Sequence, residues 1–390
     1  MTWPLAINTW DEAERRAAIS VIESGWTTMG EKVRQFEERF AAMFGARYAV
    51  MVNSGSSANL LAVASLFFAR PALAWPGAVA VVPAVSWATT YYPLTQYGLT
   101  LRFVDIDPHT LNFDLDALAG AIDDDVAVVF AVNLLGNPNN YGAIEKLLAG
   151  RDVTLIEDNC EAMGARLAGR FAGTFGKVAT FSTFFSHHIS TMEGGVCVTD
   201  DEEIHHILLA LRSHGWTRHL PWPNRLVEPD GRGDFHERFR FILPGYNVRP
   251  LEIAAAVGLE QLDKLPRFIA RRRDNARRFQ DLFASLPGVR LQREIGESSW
   301  FGFAFTLTSE TAASRDAVVA KLADAGVQTR PIVAGNFLNQ PVMAHLAHEP
   351  PPPLPNAEEI DRRGFYIGNH HLDRRGEMDG LLQAVRAAIG

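Results

Sequence analysis

Between residues 48 and 199 the chain alternates between short runs rich in Val, Ile and Phe and stretches long enough for a helix. The runs fall at 48–52, 79–82, 101–104, 126–132, 153–156, 178–182 and 196–199. Apolar runs spaced this widely cannot all be joined by tight hairpins. Crossover connections through helices give a mostly parallel sheet covered on both faces, an α/β arrangement. Ahead of this region, 11–24 and 31–44 read as amphipathic helices; in the second, Val33, Phe36, Phe40 and Met43 recur at helical spacing, and Gly45 follows as a C-cap.

After Pro250 the pattern changes. A helical segment runs through Leu286, followed by a strand-like run at 300–307, a helix at 311–325 and a last helix from Glu377. A chain of 390 residues exceeds what one core usually holds. We therefore expect a large domain at 1–250 and a smaller α+β domain at 251–390, with the long helix packing on both. Pro350–Pro353 reads as a polyproline surface loop, and no internal repeat is visible.

The net charge of -8 is spread without a basic run, which argues against a nucleic-acid groove or an electrostatic membrane patch and favours small-molecule partners. Cys160 and Cys197, the two cysteines, sit in apolar strand-like stretches and read as buried reduced thiols of a cytoplasmic protein, not as zinc ligands. The start, Met1-Thr-Trp-Pro, lacks a signal-peptide pattern, and the apolar stretch from Leu60 is cut by Arg70 and Pro71, so neither export nor membrane spanning is expected.

Four segments carry candidate chemistry. Asn53-Ser-Gly-Ser-Ser-Ala-Asn follows a strand and opens a helix; its small residues leave N–H groups and hydroxyls to meet a phosphate, although a serine-capped turn has the same look. Trp87, just past the next strand, can stack on a flat ring or plug the core edge. Asp158, at the end of another run, can pair with a protonated heterocycle nitrogen or cap a helix. The loop 182–194 holds His187 and His188. Adjacent histidines rarely ligate one metal, and no Cys or carboxylate stands at ligand spacing, so no metal site is expected. A dinucleotide-binding glycine fingerprint is missing after the first strand.

Taken in order, Met29-Gly-Glu, Phe36-Glu, Phe40-Ala, Phe44-Gly, Ser54-Gly-Ser-Ser-Ala, Trp87, Glu157-Asp158, Gly164-Ala165, Glu193-Gly-Gly and Gly245-Tyr-Asn-Val-Arg resemble the DegT/DnrJ/EryC1/StrS sugar aminotransferase family over nearly the entire chain. The resemblance implies the PLP-dependent transferase (aspartate aminotransferase, type I) fold and a pyridoxal 5′-phosphate (PLP) site. By it, Gly55, Ser56, Ser57 and Ser182 would hold the phosphate, Trp87 would stack on the ring, and Asp158 would pair with its nitrogen. Glu161 would lie near the ring hydroxyl, where many relatives carry glutamine. Asn247 would reach the phosphate of the neighbouring subunit, so the enzyme would be a homodimer with shared active sites.

One departure is decisive. Five residues after Ser182, where transaminating members carry the lysine that bonds to PLP, this chain has His187, and no lysine occurs between Lys177 and Lys264. Ser186-His-His-Ile, Met192-Glu-Gly-Gly, Leu135-Gly-Asn-Pro-Asn-Asn and Leu243-Pro-Gly-Tyr-Asn-Val-Arg-Pro resemble the family's 3-dehydratase branch. That branch implies pyridoxamine 5′-phosphate (PMP) as the resting cofactor, a GDP-linked 4-keto-6-deoxy sugar as substrate, loss of its C3 hydroxyl with His187 moving the proton, and L-glutamate restoring PMP. An imidazole suits that work, with an unperturbed pKa of ~6.5. His214, Arg218, Arg249 and Arg330 are candidate substrate contacts, each with a structural role in competition. Two other functions stay open: a C4 sugar aminotransferase, and a non-catalytic nucleotide-sugar sensor.

Overall fold

The computed structural model describes residues 2–390. Its first helix, α1 (Glu12–Ser24), starts in a capping box in which the side chains of Asp11 and Glu14 serve each other's backbone N–H groups. Helix α2 (Glu31–Phe44) has Gly30 at its N-cap and therefore no side-chain cap of its own. Its buried stripe is Val33, Phe36, Phe40 and Phe44; Met43, which the spacing placed on that face, is half-buried at its edge.

There follow β1 (Tyr48–Val52), α3 (Gly55–Phe68), β2 (Val79–Pro83), α4 (Ala88–Gln96), β3 (Thr100–Val104), α5 (Leu115–Ala121), β4 (Val126–Val132), α6 (Tyr141–Leu148) and β5 (Thr154–Asp158). A hairpin of β6 (Arg166–Leu167) and β7 (Arg170–Phe171) precedes β8 (Val178–Ser182), β9 (Gly195–Thr199) and α7 (Glu202–Arg212). The large sheet runs β1-β9-β8-β5-β4-β2-β3. The block from β3 to β8 is parallel, as the alternation requires, and β9 alone runs against its neighbours. Because β9 opposes both β8 and β1, β1 points the same way as the parallel block. Six strands thus end on one edge, where a parallel sheet presents ligands.

A short α8 (Asp234–Glu237) interrupts the excursion that leads to α9 (Glu252–Phe283). Beyond it lie β10 (Val289–Leu291), β11 (Gly302–Leu307), α10 (Arg315–Asp324), β12 (Thr329–Arg330), α11 (Pro355–Arg363), β13 (Gly364–Gly368) and α12 (Met378–Ile389). Strands β10-β11-β13-β12 form a second, antiparallel sheet. The residues of 350–353 are exposed and outside any helix or strand.

Three expectations need correction. The strand foreseen from residue 300 starts at Gly302, because Trp300 takes a left-handed φ of 50° that no strand accommodates. The helix foreseen from 311 starts at Arg315, where the Ser314 side chain accepts from the Ala317 N–H. Cys160 lies past the end of β5, half-buried in a turn, whereas Cys197 is buried within β9 as read.

Helix α9 joins the two halves. Its first turns bury Ala254, Ala255, Leu259 and Leu262 against α2 and β9, and its last turns insert Phe279 and Phe283 into the C-terminal core beside Phe303 and Phe305. The N-terminal segment enters that second core too: Trp3 is fully buried there and donates its indole N–H to the Gly368 carbonyl.

Candidate active site

At the carboxyl edge of the large sheet, closed on one side by the C-terminal half, lies a cavity of about 440 Å³. All four motifs meet there because each follows a strand that ends on that edge. Helix α3 starts at the end of β1: the Ser54 hydroxyl accepts from the Ser57 N–H at 3.1 Å. By helix geometry the N–H groups of Gly55 and Ser56 have no intrahelical acceptor, and both residues line the cavity. Gly55 is required by close packing, since a Cβ there would meet the Ser182 Cβ at 2.7 Å. The Ser182 side chain and Ser56, whose hydroxyl contacts Thr89 Oγ1 at 3.1 Å, complete a small anion-sized cradle.

Opposite it, Asp158 is 6% exposed. Its Oδ2 accepts from Asn59 Nδ2 at 2.9 Å and Thr90 Oγ1 at 3.0 Å, and its Oδ1 accepts from the Cys160 N–H at 3.0 Å. Three donors fix the carboxylate at the cavity wall, and Trp87 stands beside it with 60% of its surface free. Glu161 accepts from the Leu135 N–H at 2.9 Å; burial, with the Asp158 charge nearby, pushes its carboxyl up to about 7. Leu135 holds that N–H in place from a left-handed conformation, φ 52°.

The two histidines separate cleanly. His187 lines the cavity, its ring between Phe184 at 5.8 Å and Phe301 at 5.2 Å, and its Nδ1 is buried without a partner. His188 is fully buried behind it, with Nε2 3.2 Å from the Ser299 carbonyl. Burial, reinforced by the positive charge of Arg272, lowers the His187 imidazole to about 4, so the ring is neutral at physiological pH. No lysine lines the cavity among the described residues.

Of the other residues singled out from sequence, Arg330 lines the cavity from β12. Ser57 does not; its N–H and hydroxyl are engaged with Ser54. Asn247, Arg249, His214 and Arg218 lie outside the cavity of a single chain: Asn247 accepts from Arg249 Nε at 2.9 Å, the His214 N–H donates to the Tyr246 carbonyl, and the Arg218 guanidinium stands over Trp216. Sequence reading quoted Ser54 and Asn59 within the turn motif without assigning either a contact, and it missed Thr90, Phe301 and Tyr366. Asn59 was within reach, one helical turn beyond Gly55. Phe301 and Tyr366 carried no signal, because they reach the cavity from the second sheet.

A phosphate-sized cradle at a helix start, a fixed carboxylate opposite it and an exposed indole between them suit an anionic, planar, protonated heterocycle. Joined to a seven-stranded mostly parallel sheet and a small C-terminal domain, they define a PLP-dependent transferase fold. The model of the DegT/DnrJ/EryC1/StrS aminotransferase family matches residues 8–386, and the chain belongs to that family. It is 52% identical to GDP-4-keto-6-deoxy-D-mannose 3-dehydratase from Yersinia pseudotuberculosis over 387 residues, 99% of this chain and 98% of the relative. Two crystal structures of GDP-4-keto-6-deoxymannose-3-dehydratase superpose closely, both at 51% identity and covering 98% of this chain and all of the other. One, a histidine-to-asparagine mutant with bound GDP-perosamine, gives a TM-score of 0.97; the other, with a trapped PLP-glutamate geminal diamine, gives 0.96.

Proposed function

We propose that this chain is a PLP/PMP-dependent 3-dehydratase that removes the C3 hydroxyl of a GDP-linked 4-keto-6-deoxy sugar, GDP-4-keto-6-deoxymannose, with L-glutamate regenerating the amine form of the cofactor. The observation that carries this reading is the imidazole of His187, and no lysine, at the cavity wall. The similarity to the 3-dehydratases over the full chain supports it.

In this reading Gly55, Ser56 and Ser182 bind the cofactor phosphate, with Ser57 fixing the turn through Ser54. Trp87 stacks on the ring, Asp158 holds the ring nitrogen protonated, and Glu161 faces the ring hydroxyl. The bound cofactor supplies an electron sink for carbon adjacent to its imine-forming carbon. His187 does the proton work. Neutral at physiological pH, it accepts a proton at the cofactor's C4′ carbon and returns it to the departing C3 hydroxyl, which leaves as water. With no lysine at the cavity wall to bond to the cofactor, the amino nitrogen that glutamate delivers through the cofactor would be released by hydrolysis as ammonia, and the sugar would keep a ketone at C4. Phe184 and Phe301, flanking the ring, limit its access to bulk water.

The exposed Trp26, Trp87, Phe184, Phe185, Met192 and Leu251 favour a homodimer in which the partner's Asn247 completes each phosphate site and Arg218, Arg249 and His214 approach the nucleotide. Among the described residues no helix is long and apolar enough to cross a membrane, and the two unpaired cysteines fit a cytoplasmic location. The test is incubation of the purified protein with PLP, glutamate and GDP-4-keto-6-deoxymannose. We expect ammonia and a 3-deoxy-4-keto sugar; a stable C4 amino sugar would identify an aminotransferase instead.

A further inference from the structure

Behind the histidine pair lies a buried cation that the proposed reaction does not use. Arg272, on α9, is 4% exposed. Its Nη1 donates to two backbone carbonyls, Phe301 at 3.1 Å and Asn369 at 2.8 Å, and its Nε is buried without a partner. The neighbours differ: Arg271 pairs with Asp373 and Arg273 with Glu297. A guanidinium held only by carbonyls keeps its full charge, and in a dry interior that charge is felt over several ångströms. Burying it this way is expensive.

The carbonyl that Arg272 holds belongs to the residue whose ring forms the wall beside His187. Phe301 follows Trp300, which is left-handed at φ 50°, and the Phe301 N–H donates to the Leu135 carbonyl at 3.0 Å. Asn369 ties the same strand of contacts together, donating to the carbonyls of Arg272 and Trp300. The ring of Phe301 is thereby fixed 5.2 Å from His187 and 5.8 Å from His188.

We propose that Arg272 is a positioning residue for the proton-transfer histidine: it clamps the Phe301 wall against His187 and sets its unpaired guanidinium behind that ring. The proposal rests on the dehydratase reading for the role of His187. The ionisable groups facing His187 are His188 and Glu193 on its own loop, Asp158, Cys160 and Glu161 past β5, Arg330 on β12, Tyr366 on β13 and Arg272 on α9. Among them Arg272 is the one whose charge adds to burial in disfavouring the imidazolium.

The experiment uses the full-length holoenzyme labelled at histidine Cε1, with the His187 signal assigned from the His187→Asn spectrum. In the wild type we expect the His187 signal not to titrate down to about pH 5, well below an ordinary imidazole at ~6.5. In R272Q we expect its midpoint, and with it the acidic limb of kcat, to rise by about one pH unit or more while the substrate KM stays within about twofold. R272K, which keeps the charge, should hold the limb near the wild-type position. A wild-type midpoint near ~6.5, or an R272Q midpoint that does not move, overturns the proposal; if R272Q does not fold, R272M, which fills similar space without the charge, decides on the same shift. A His187 midpoint that rises in R272Q, in a protein that forms no deoxy ketone, would sustain this proposal while removing the dehydratase reading.

Discussion

Two side chains of opposite protonation preference share the cavity. Lowered to about 4, His187 is a base across the physiological range; raised to about 7, Glu161 is partly a neutral acid able to donate a hydrogen bond as a glutamine would. Replacing His187 by Asn should lower kcat by roughly 10²–10⁴, the usual contribution of a positioned acid–base group, while the cofactor absorbance of the purified protein is retained. Normal turnover would shift suspicion to His188, but that ring is fully buried and bonded to the Ser299 carbonyl. For Glu161 the sign follows from linkage. A carboxyl raised from 4.5 in the folded state contributes stability that is intact below its unfolded pKa and is lost as pH rises through the folded value near 7. In the cofactor-free protein, Glu161→Gln should therefore stabilise by about 1 kcal/mol at pH 8 and have little effect at pH 4, as read by denaturation at the two pH values. Equal effects at both would show that Glu161 is ionised in the fold.

At the scale of elements, α2 depends on α9 for its start. Gly30 offers no side chain at the N-cap, and a Cβ there would meet Trp26 Nε1 at 2.5 Å, so the helix borrows a cap: Glu252 accepts from the N–H groups of Gly30 and Lys32 at 2.6 Å each and from Val33 at 3.3 Å. A carboxylate there also meets the positive end of the α2 dipole. Glu252→Ala should destabilise the protein by about 2 kcal/mol, more than an ordinary cap, because charged hydrogen bonds are lost and buried donors are left unpaired. Thermal melting checks this; an unchanged midpoint would mean that water replaces the carboxylate. Nearby, Arg212 of α7 bonds to Glu37 of α2 and donates to the Met51 carbonyl of β1, so α2 is pinned at its start and at its middle.

For the whole molecule, the cavity of one chain holds His187 but not Asn247, which lies outside its wall. If active sites are shared, two inactive variants should rescue each other. Random mixing of His187→Asn and Asn247→Ala subunits makes half the dimers mixed, and each mixed dimer has one intact site, so about a quarter of wild-type activity should return. Absence of rescue in a mixed dimer verified by mass measurement would place both residues in the same subunit's site. The division between the two halves falls along α9. We propose that the 1–250 and 251–390 segments are two domains carried on that helix as a shared beam, with the segment at Trp3 docked on the second core.

The local order of the chain was enough to reveal the alternation that makes a parallel sheet, the glycine-serine turn after β1, Asp158 at the end of β5 and a histidine where a lysine was expected. Such features are legible because a strand's apolar run and the turn after it are set by neighbours a few residues apart. Which of two adjacent histidines faces the cavity was legible only through the family resemblance and not from the residues themselves: one backbone step decides it, and the decision belongs to Phe301 and Ser299, more than 100 residues away. The buried charge of Arg272, the three donors that fix Asp158 and the borrowed cap of α2 likewise depend on side chains brought together by packing. The local sequence named the chemistry, and the tertiary structure set its protonation, because an ionisable group responds to everything within a few ångströms regardless of its place in the chain.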